Sequence, residues 1–98
     1  MFKKDGMKYE VKHIKEECCF VCFQDQCLAL LKYQMLDREL MNIYHIEVMD
    51  IKDSQNIEMI LMKEVLEYAR KNHYRVLTTS AWVRNYLVNH PNCQNMLL

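Results

Sequence analysis

Apolar residues in the first half of the chain occur in short runs, or in alternation with polar residues, which is the pattern of β-strands. Four segments show this pattern and are predicted as strands: residues 9–14, 18–23, 27–35 and 41–49. The three polar residues 24–26 have the length of a hairpin connection, and residues 36–40, with three charged residues at their centre, are predicted as a second turn. The pattern therefore predicts an antiparallel meander.

From residue 54 the apolar period changes to that of a helix. Apolar positions recur every four residues through segment 54–72 and mark one face of an amphipathic helix: Ile57, Leu61, Val65 and Ala69. Asp53 or Ser54 is expected to cap the free amides at its start. The basic residues 70 and 71 lie near the carboxyl end of the helix. Acidic residues near the start and basic residues near the end both interact favourably with the helix dipole.

The last part of the chain predicts one more strand and one more helix. Residues 74–79 are β-branched and aromatic, and residues 81–88 form a short helix that Asn89-His90-Pro91 stops. Strands followed by helix, strand and helix make an α+β fold with one long crossover helix and a short C-terminal helix. The 98 residues suit a single domain over 1–98, in which residues 1–8 are expected to be a loose N-terminal segment.

Composition narrows the classes of partner. The 13 basic and 13 acidic side chains cancel, so no global field attracts nucleic acid or an anionic membrane. The apolar runs are too short to span a bilayer, and the start lacks the apolar core of a signal peptide. We therefore expect a cytoplasmic protein that binds neither nucleic acid nor membrane.

Five cysteines are present, and four of them cluster between residues 18 and 27. An odd number in such a cluster does not indicate a disulfide framework. Cys19 and Cys22 have the spacing of a zinc or redox pair, but residues three apart on a strand point to opposite faces. They are predicted as buried strand cysteines, and no metal site is predicted.

Three segments between residues 44 and 83 carry residue patterns that matter because of their order along the chain. Residues 44–48 are Tyr-His-Ile-Glu-Val, residues 66–72 are Leu-Glu-Tyr-Ala-Arg-Lys-Asn, and residues 80–83 are Ser-Ala-Trp-Val, followed by Tyr86 and His90-Pro91. This succession resembles the small, single-domain members of the GNAT acetyltransferase superfamily. There the matching pieces are His-Thr-Glu-Val, Glu-Tyr-Ala, and Cys-x-aromatic-Val with a later aromatic residue and Asn-Pro. The resemblance implies a GNAT-like, mainly antiparallel mixed sheet.

The resemblance also implies an acetyl-CoA site whose pyrophosphate rests on the start of the main helix, where free amides and the helix dipole attract anions. The implied cofactor-binding residues are Val48, Ser54, Gln55, Asn56, Ile57 and Glu58. In the family this loop is Arg-x-x-Gly-x-Gly or Ala. Here every signature position differs, Asp53 stands where the family has arginine, and the one glycine, Gly6, lies elsewhere.

These changes predict that the affinity for CoA is weakened or lost. A carboxylate at roughly 6 Å from a phosphate charge weakens the binding of that phosphate by about 1–3 kcal/mol. The alternative is that Asp53, Ser54 and Glu58 simply stabilise the start of the helix.

The implied catalytic residues are Ser80 and His45. Ser80 stands where the small relatives carry a reactive cysteine, and His45 is the candidate base that would activate it. The structural alternatives are that Ser80 caps the last helix and that His45 is an ordinary hydrogen-bonded histidine. Trp82 and Tyr86, four apart on that helix, either pack against the sheet or line a narrow cleft.

Two alternative functions are therefore predicted. The first is acetyl transfer from acetyl-CoA to an amine, on a small molecule or a protein. The second is a catalytically inactive binding or regulatory module with the same fold and a protein partner. An open groove between the strands at Val48 and Val76 that leads to Ser80 would favour a ligand.

Overall fold

A computed structural model describes residues 9–49 and 51–89. The strands are β1 (Glu10–Ile14), β2 (Cys19–Phe23), β3 (Cys27–Asp37), β4 (Leu40–Val48) and β5 (Arg75–Thr78), and the helices are α1 (Ser54–Lys71) and α2 (Ala81–Val88). Short 3-10 turns at Lys15–Glu17 and Ile51–Asp53 precede β2 and α1. Of the predicted stop at residues 89–91, Asn89 is the C-cap of α2, whereas residues 90–91 and the predicted loose segment 1–8 lie outside the described residues.

The strands form one five-stranded sheet in the order of the chain. Neighbours from β1 to β4 are antiparallel, whereas β5 runs parallel to β4 because α1 carries the chain back across the sheet. The predicted α+β fold, mainly antiparallel with one crossover helix, is confirmed.

One turn is shorter than predicted. β3 continues to Asp37 and β4 begins at Leu40, so only Arg38 and Glu39 connect them, instead of residues 36–40. The Asp37 carboxylate accepts a hydrogen bond from the Glu39 amide at 2.8 Å, which closes the turn. A polar stretch alone did not reveal that its flanks pair across strands.

α1 covers one face of the sheet and supplies the core. Its predicted apolar face is confirmed, and Met62 and Leu66 widen it. The fully buried helix residues pack with side chains of β2 to β5 in a single cluster, which also includes Val83 and Leu87 of α2. Neither α1 nor α2, the helices in the described part of the chain, is long and apolar enough to cross a bilayer.

The strand cysteines divide between the two faces of the sheet. Cys22 pairs with Ala29 on the face that α1 covers, and Cys19 pairs with Lys32 on the other. Both are buried, as predicted, but Cys27 is exposed. In residues 9–49 and 51–89 no three His, Cys, Asp or Glu side chains are grouped in a way that could hold a metal ion.

A histidine lies inside an aromatic cluster beneath α1. The His13 ring stacks on Phe20 at a centroid distance of 4.0 Å, meets Tyr68 edge-on at 4.4 Å, and its Nε2 lies 2.6 Å from the Tyr33 hydroxyl. Burial is the main cause that lowers the pKa of His13. The cluster therefore favours the neutral imidazole.

Candidate functional site

β4 and β5 separate at one end of the sheet. Their pairing runs from Leu40 opposite Arg75 to Ile43 opposite Thr78, and β4 then continues to Val48 with no β5 residue beside it. Tyr44 is an extra residue in β4, since Tyr33 pairs with Ile43 and Lys32 with His45. Such a bulge bends a strand, and residues 44–48 have no β5 residue paired beside them.

The hydroxyl of Thr78 marks the point where the strands separate. It donates a hydrogen bond to the Ile43 carbonyl oxygen at 2.5 Å and accepts one from the Ser80 amide at 2.9 Å. The Arg84 guanidinium donates to the carbonyl oxygen of Thr78 at 3.1 Å. Thr78 thereby joins the ends of the paired strands to the start of α2.

Ser80 is the N-cap of α2. Its backbone is extended, and its hydroxyl accepts a hydrogen bond from the Val83 amide at 3.3 Å. The structural alternative for this residue, a helix cap, is confirmed. The hydroxyl keeps its own proton and could still react, so a chemical role for Ser80 stays a prediction.

His45 does not contact Ser80. It lies on the sheet face opposite α1, is exposed, and its Nε2 is 3.3 Å from the Glu47 carboxylate. No hydrogen bond joins His45 to Ser80 in the described residues, so the structure does not assemble them as a nucleophile and its base. A direct role for His45 as a base toward an incoming amine stays a prediction.

The start of α1 differs from the expected cap. Asp53 occupies the N-cap position, but its carboxylate makes no hydrogen bond with the helix amides. Instead it accepts from the Tyr9 hydroxyl and, at 3.2 Å, from the Asn56 side chain. These two bonds lower the pKa of Asp53, the Tyr9 bond more strongly. The capping prediction for Asp53 is wrong because a distant tyrosine competes for its carboxylate.

A groove lies between the first turns of α1 and one side of α2. Its volume is about 330 Å³. The lining residues recur at helical spacing on each helix: Gln55, Glu58 and Met59 on α1, and Trp82, Asn85, Tyr86 and Asn89 on α2. The stripes therefore face each other, while Val83 and Leu87 on another side of α2 are buried in the core.

The predicted cofactor residues divide among different environments. Gln55 and Glu58 line the groove, whereas Asn56 is bonded to Asp53. Ile57 is fully buried in the core, so only its backbone could meet a ligand. Ser54 and Val48 are partly exposed near the start of α1 and the end of β4, and neither lines the groove.

Sequence comparison shows the protein family to which the chain is similar. The model of the GCN5-related N-acetyltransferase family matches residues 18–96, which is most of the chain. The chain belongs to the GCN5-related N-acetyltransferase family. No curated protein matches it.

Solved structures agree with the assignment of this GNAT domain to the family. A GCN5-like protein from Staphylococcus aureus, determined by NMR, superposes with a TM-score of 0.77 and 27% identity, covering 93% of this chain and 89% of that one. Ard1 from Thermoplasma volcanium superposes with a TM-score of 0.62 and 15% identity. That match covers 76% of this chain and 55% of Ard1, and at this identity it shows the fold alone.

Sequence reasoning missed part of the groove of this GNAT domain. Met59, Asn85 and Asn89 were not predicted as site residues, and Trp82 and Tyr86 were left between two alternatives. The two rings stack with centroids 5.7 Å apart and planes 23° apart, on the groove wall. The signal was available: an amide recurs at positions 85 and 89 beside the aromatic pair, on the side of α2 away from its buried residues.

The described wall of the groove carries negative and no positive charge. Glu58 is half-buried on its wall, and burial raises the pKa of this carboxyl. None of the seven described lining residues is basic. Amide and aromatic side chains dominate the wall, which suits uncharged polar groups and planar or apolar surfaces.

Proposed function

We propose that the protein transfers an acetyl group from acetyl-CoA to an amine, with the acetyl donor bound along the groove and its reacting end beside the part of β4 that extends past β5. The observation that carries this proposal is the position of the groove. It lies between the first turns of α1 and one side of α2, the two helices that follow β4 and β5 along the chain. Family membership makes an acyl thioester the leading candidate for the ligand.

The residues fit acetyl-CoA in part. The first-turn amides of α1 receive no side-chain cap from Asp53, so they remain available to an anion. The aromatic and amide wall offers surface and hydrogen bonds for the rest of the molecule. Against this, Asp53 and Glu58 put negative charge beside the same helix end, where phosphates would be repelled.

The chemistry requires a neutral amine and an exposed thioester carbonyl. The amine nitrogen forms a bond to the carbonyl carbon, the carbon–sulfur bond breaks, the thiol leaves and the nitrogen gives up a proton to a base or water. Backbone groups of residues 44–48 have no β5 partner and could orient the carbonyl. His45 is the candidate base, acting on the amine without Ser80 as an intermediate carrier.

A second candidate function is a binding module without transfer. Two observations favour it: Ser80 and His45 are not hydrogen-bonded to each other, and two carboxylates flank the start of α1. Such a module would keep the groove and lack the chemistry.

Titration of the protein with acetyl-CoA, followed by NMR at low and physiological salt, tests the proposal. We expect saturable binding, with shifts in the first turns of α1 and along the groove side of α2. A thiol-release assay with a panel of amines then tests transfer. Binding without thiol release supports the binding module, whereas no binding at millimolar ligand contradicts acetyl transfer and favours a module that binds a protein partner.

Asp53→Asn sharpens the test because it removes the charge and keeps an acceptor for the Tyr9 hydroxyl. We expect acetyl-CoA to bind more tightly, since the substitution removes a negative charge beside the helix end where the phosphates would lie. Glu39→Gln is the matched control, since it removes one charge in the turn at the far end of β4. An equal gain in both variants would mean that net charge, not the site, is responsible.

The proposal includes a cytoplasmic location. Cys18, Cys19, Cys22 and Cys27 are free thiols in the structure, which suits a reducing compartment.

A further inference from the structure

The groove between α1 and α2 lacks the charge that a phosphate-rich ligand needs. Glu58 is the one charged side chain among its seven described lining residues. The basic residues nearest in sequence, Lys52 and Arg84, do not line it, and the Arg84 guanidinium is directed to the carbonyl oxygen of Thr78 at 3.1 Å. Among the described lining residues, a nucleotide in this groove would meet a carboxylate and no compensating cation.

The same wall is well matched to neutral amide groups. Gln55, Asn85 and Asn89 each present a carbonyl oxygen and an NH₂ group, so they can accept from and donate to an amide in a ligand. They line both sides of the groove, with Gln55 on α1 and the two asparagines on α2. An extended ligand with amides along its length could bond to both helices.

Apolar surface lies beside these amides. The stacked rings of Trp82 and Tyr86 form one wall, and Met59, 46% exposed, forms part of the other. Methylene and methyl groups gain by covering such surface. Alternating amides and hydrocarbon are the composition of a pantetheine arm, whereas the nucleotide end of CoA carries the phosphates.

The size of the groove agrees with a partial occupant. Its volume of 330 Å³ is near the lower end of the range of about 300–1,000 Å³ that holds drug-sized ligands. A molecule as long as acetyl-CoA would place only one segment inside. Charge and hydrogen bonding favour the uncharged segment.

We propose that the groove binds the pantetheine arm of the acetyl donor and that the nucleotide end adds little affinity, so the protein accepts acetyl thioesters of the pantetheine type that carry no nucleotide. This inference rests on the proposed function for the identity of the ligand as an acyl thioester. It differs from that function in assigning recognition to the neutral part of the donor. Glu58 is then a specificity-determining residue that disfavours phosphate.

Titration with three ligands tests the inference: acetyl-CoA, acetyl-pantetheine and the nucleotide end of CoA alone, adenosine bisphosphate. We expect the two thioesters to bind within about fivefold of each other, which is about 1 kcal/mol. Both should shift the Trp82 indole signal and the side-chain amides of Asn85 and Asn89, and the nucleotide should not saturate. Acetyl-CoA binding more than about tenfold tighter than acetyl-pantetheine, or saturable nucleotide binding, would overturn the inference.

Glu58→Gln gives an independent test with nearly unchanged shape. We expect acetyl-CoA to bind about threefold or more tightly, whereas acetyl-pantetheine changes by less than about twofold. Glu39→Gln should change neither. An equal effect of Glu58→Gln on both thioesters would show that Glu58 acts through shape or stability and would contradict its role in selectivity.

The outcomes separate this inference from the proposed function. If both thioesters bind equally but no amine in the panel is acetylated, the proposed function fails and the assignment of the groove stands. If transfer proceeds from acetyl-CoA and acetyl-pantetheine neither binds nor serves as a donor, the proposed function stands and this inference fails.

Discussion

The Thr78 hydroxyl joins three parts of the structure, so removing it should be costly. It donates to the Ile43 carbonyl at 2.5 Å, accepts from the Ser80 amide at 2.9 Å, and belongs to a residue only 7% exposed. Thr78→Val keeps the β-branched shape and deletes both bonds. A buried carbonyl without a partner costs about 1–3 kcal/mol, and the second bond is worth about 0.5–1.5 kcal/mol, so we expect a loss of about 2–4 kcal/mol.

Urea and thermal unfolding followed by circular dichroism would measure this loss. For a domain of 60–100 residues each kcal/mol lowers the melting temperature by about 4–8 °C, so a drop of at least about 8 °C is expected. Thr79→Val is the matched control, because Thr79 is exposed and should change stability by less than about 0.5 kcal/mol. The reasoning is refuted if Thr78→Val is no more destabilising than Thr79→Val.

Two further predictions concern the core. Met62→Ala should lower the free energy of unfolding in urea by about 2–5 kcal/mol, because Met62 is fully buried. Met59→Ala, at a side chain that is 46% exposed, should lower it by less than about 0.5 kcal/mol. Equal losses would contradict the placement of Met62 in the core and Met59 at the surface. The pKa of His13 is lowered from 6.5 in the folded state, so the unfolded chain binds the proton more readily, and stability should fall as the pH drops below 6.5. His13→Phe should reduce the slope of unfolding free energy against pH. The control, His45→Gln, replaces an exposed histidine and should leave that slope unchanged. If the slope stays the same in His13→Phe, other groups cause it.

Much of the fold could be predicted because secondary structure follows from local periodicity. α2 spans the predicted residues 81–88, and α1 ends one residue before its predicted limit. Each element depends on apolar residues spaced by a few positions, which can be counted along the chain. The turn between β3 and β4 was less certain because its limits depend on pairing between strands.

The site was less predictable, because the environment of its residues depends on contacts with residues that are distant along the chain. Asp53 was expected to cap α1, but the Tyr9 hydroxyl, 44 residues earlier, takes part of its carboxylate. Ile57 was assigned both to the helix face and to the cofactor loop, and packing directs its side chain entirely into the core. A residue on a helix can serve only one of these environments, and local sequence does not say which.

The sequence alone determined the elements, their order, the buried face of α1 and the resemblance to the family, because each depends on residues close together along the chain. Only the tertiary structure decided where β4 leaves β5, which depends on the bulge at Tyr44 and the bonds of Thr78. It also decided that Glu58 and the amides of α2 face one groove. Such a juxtaposition depends on how two helices pack on a common sheet, and no spacing within either helix encodes it.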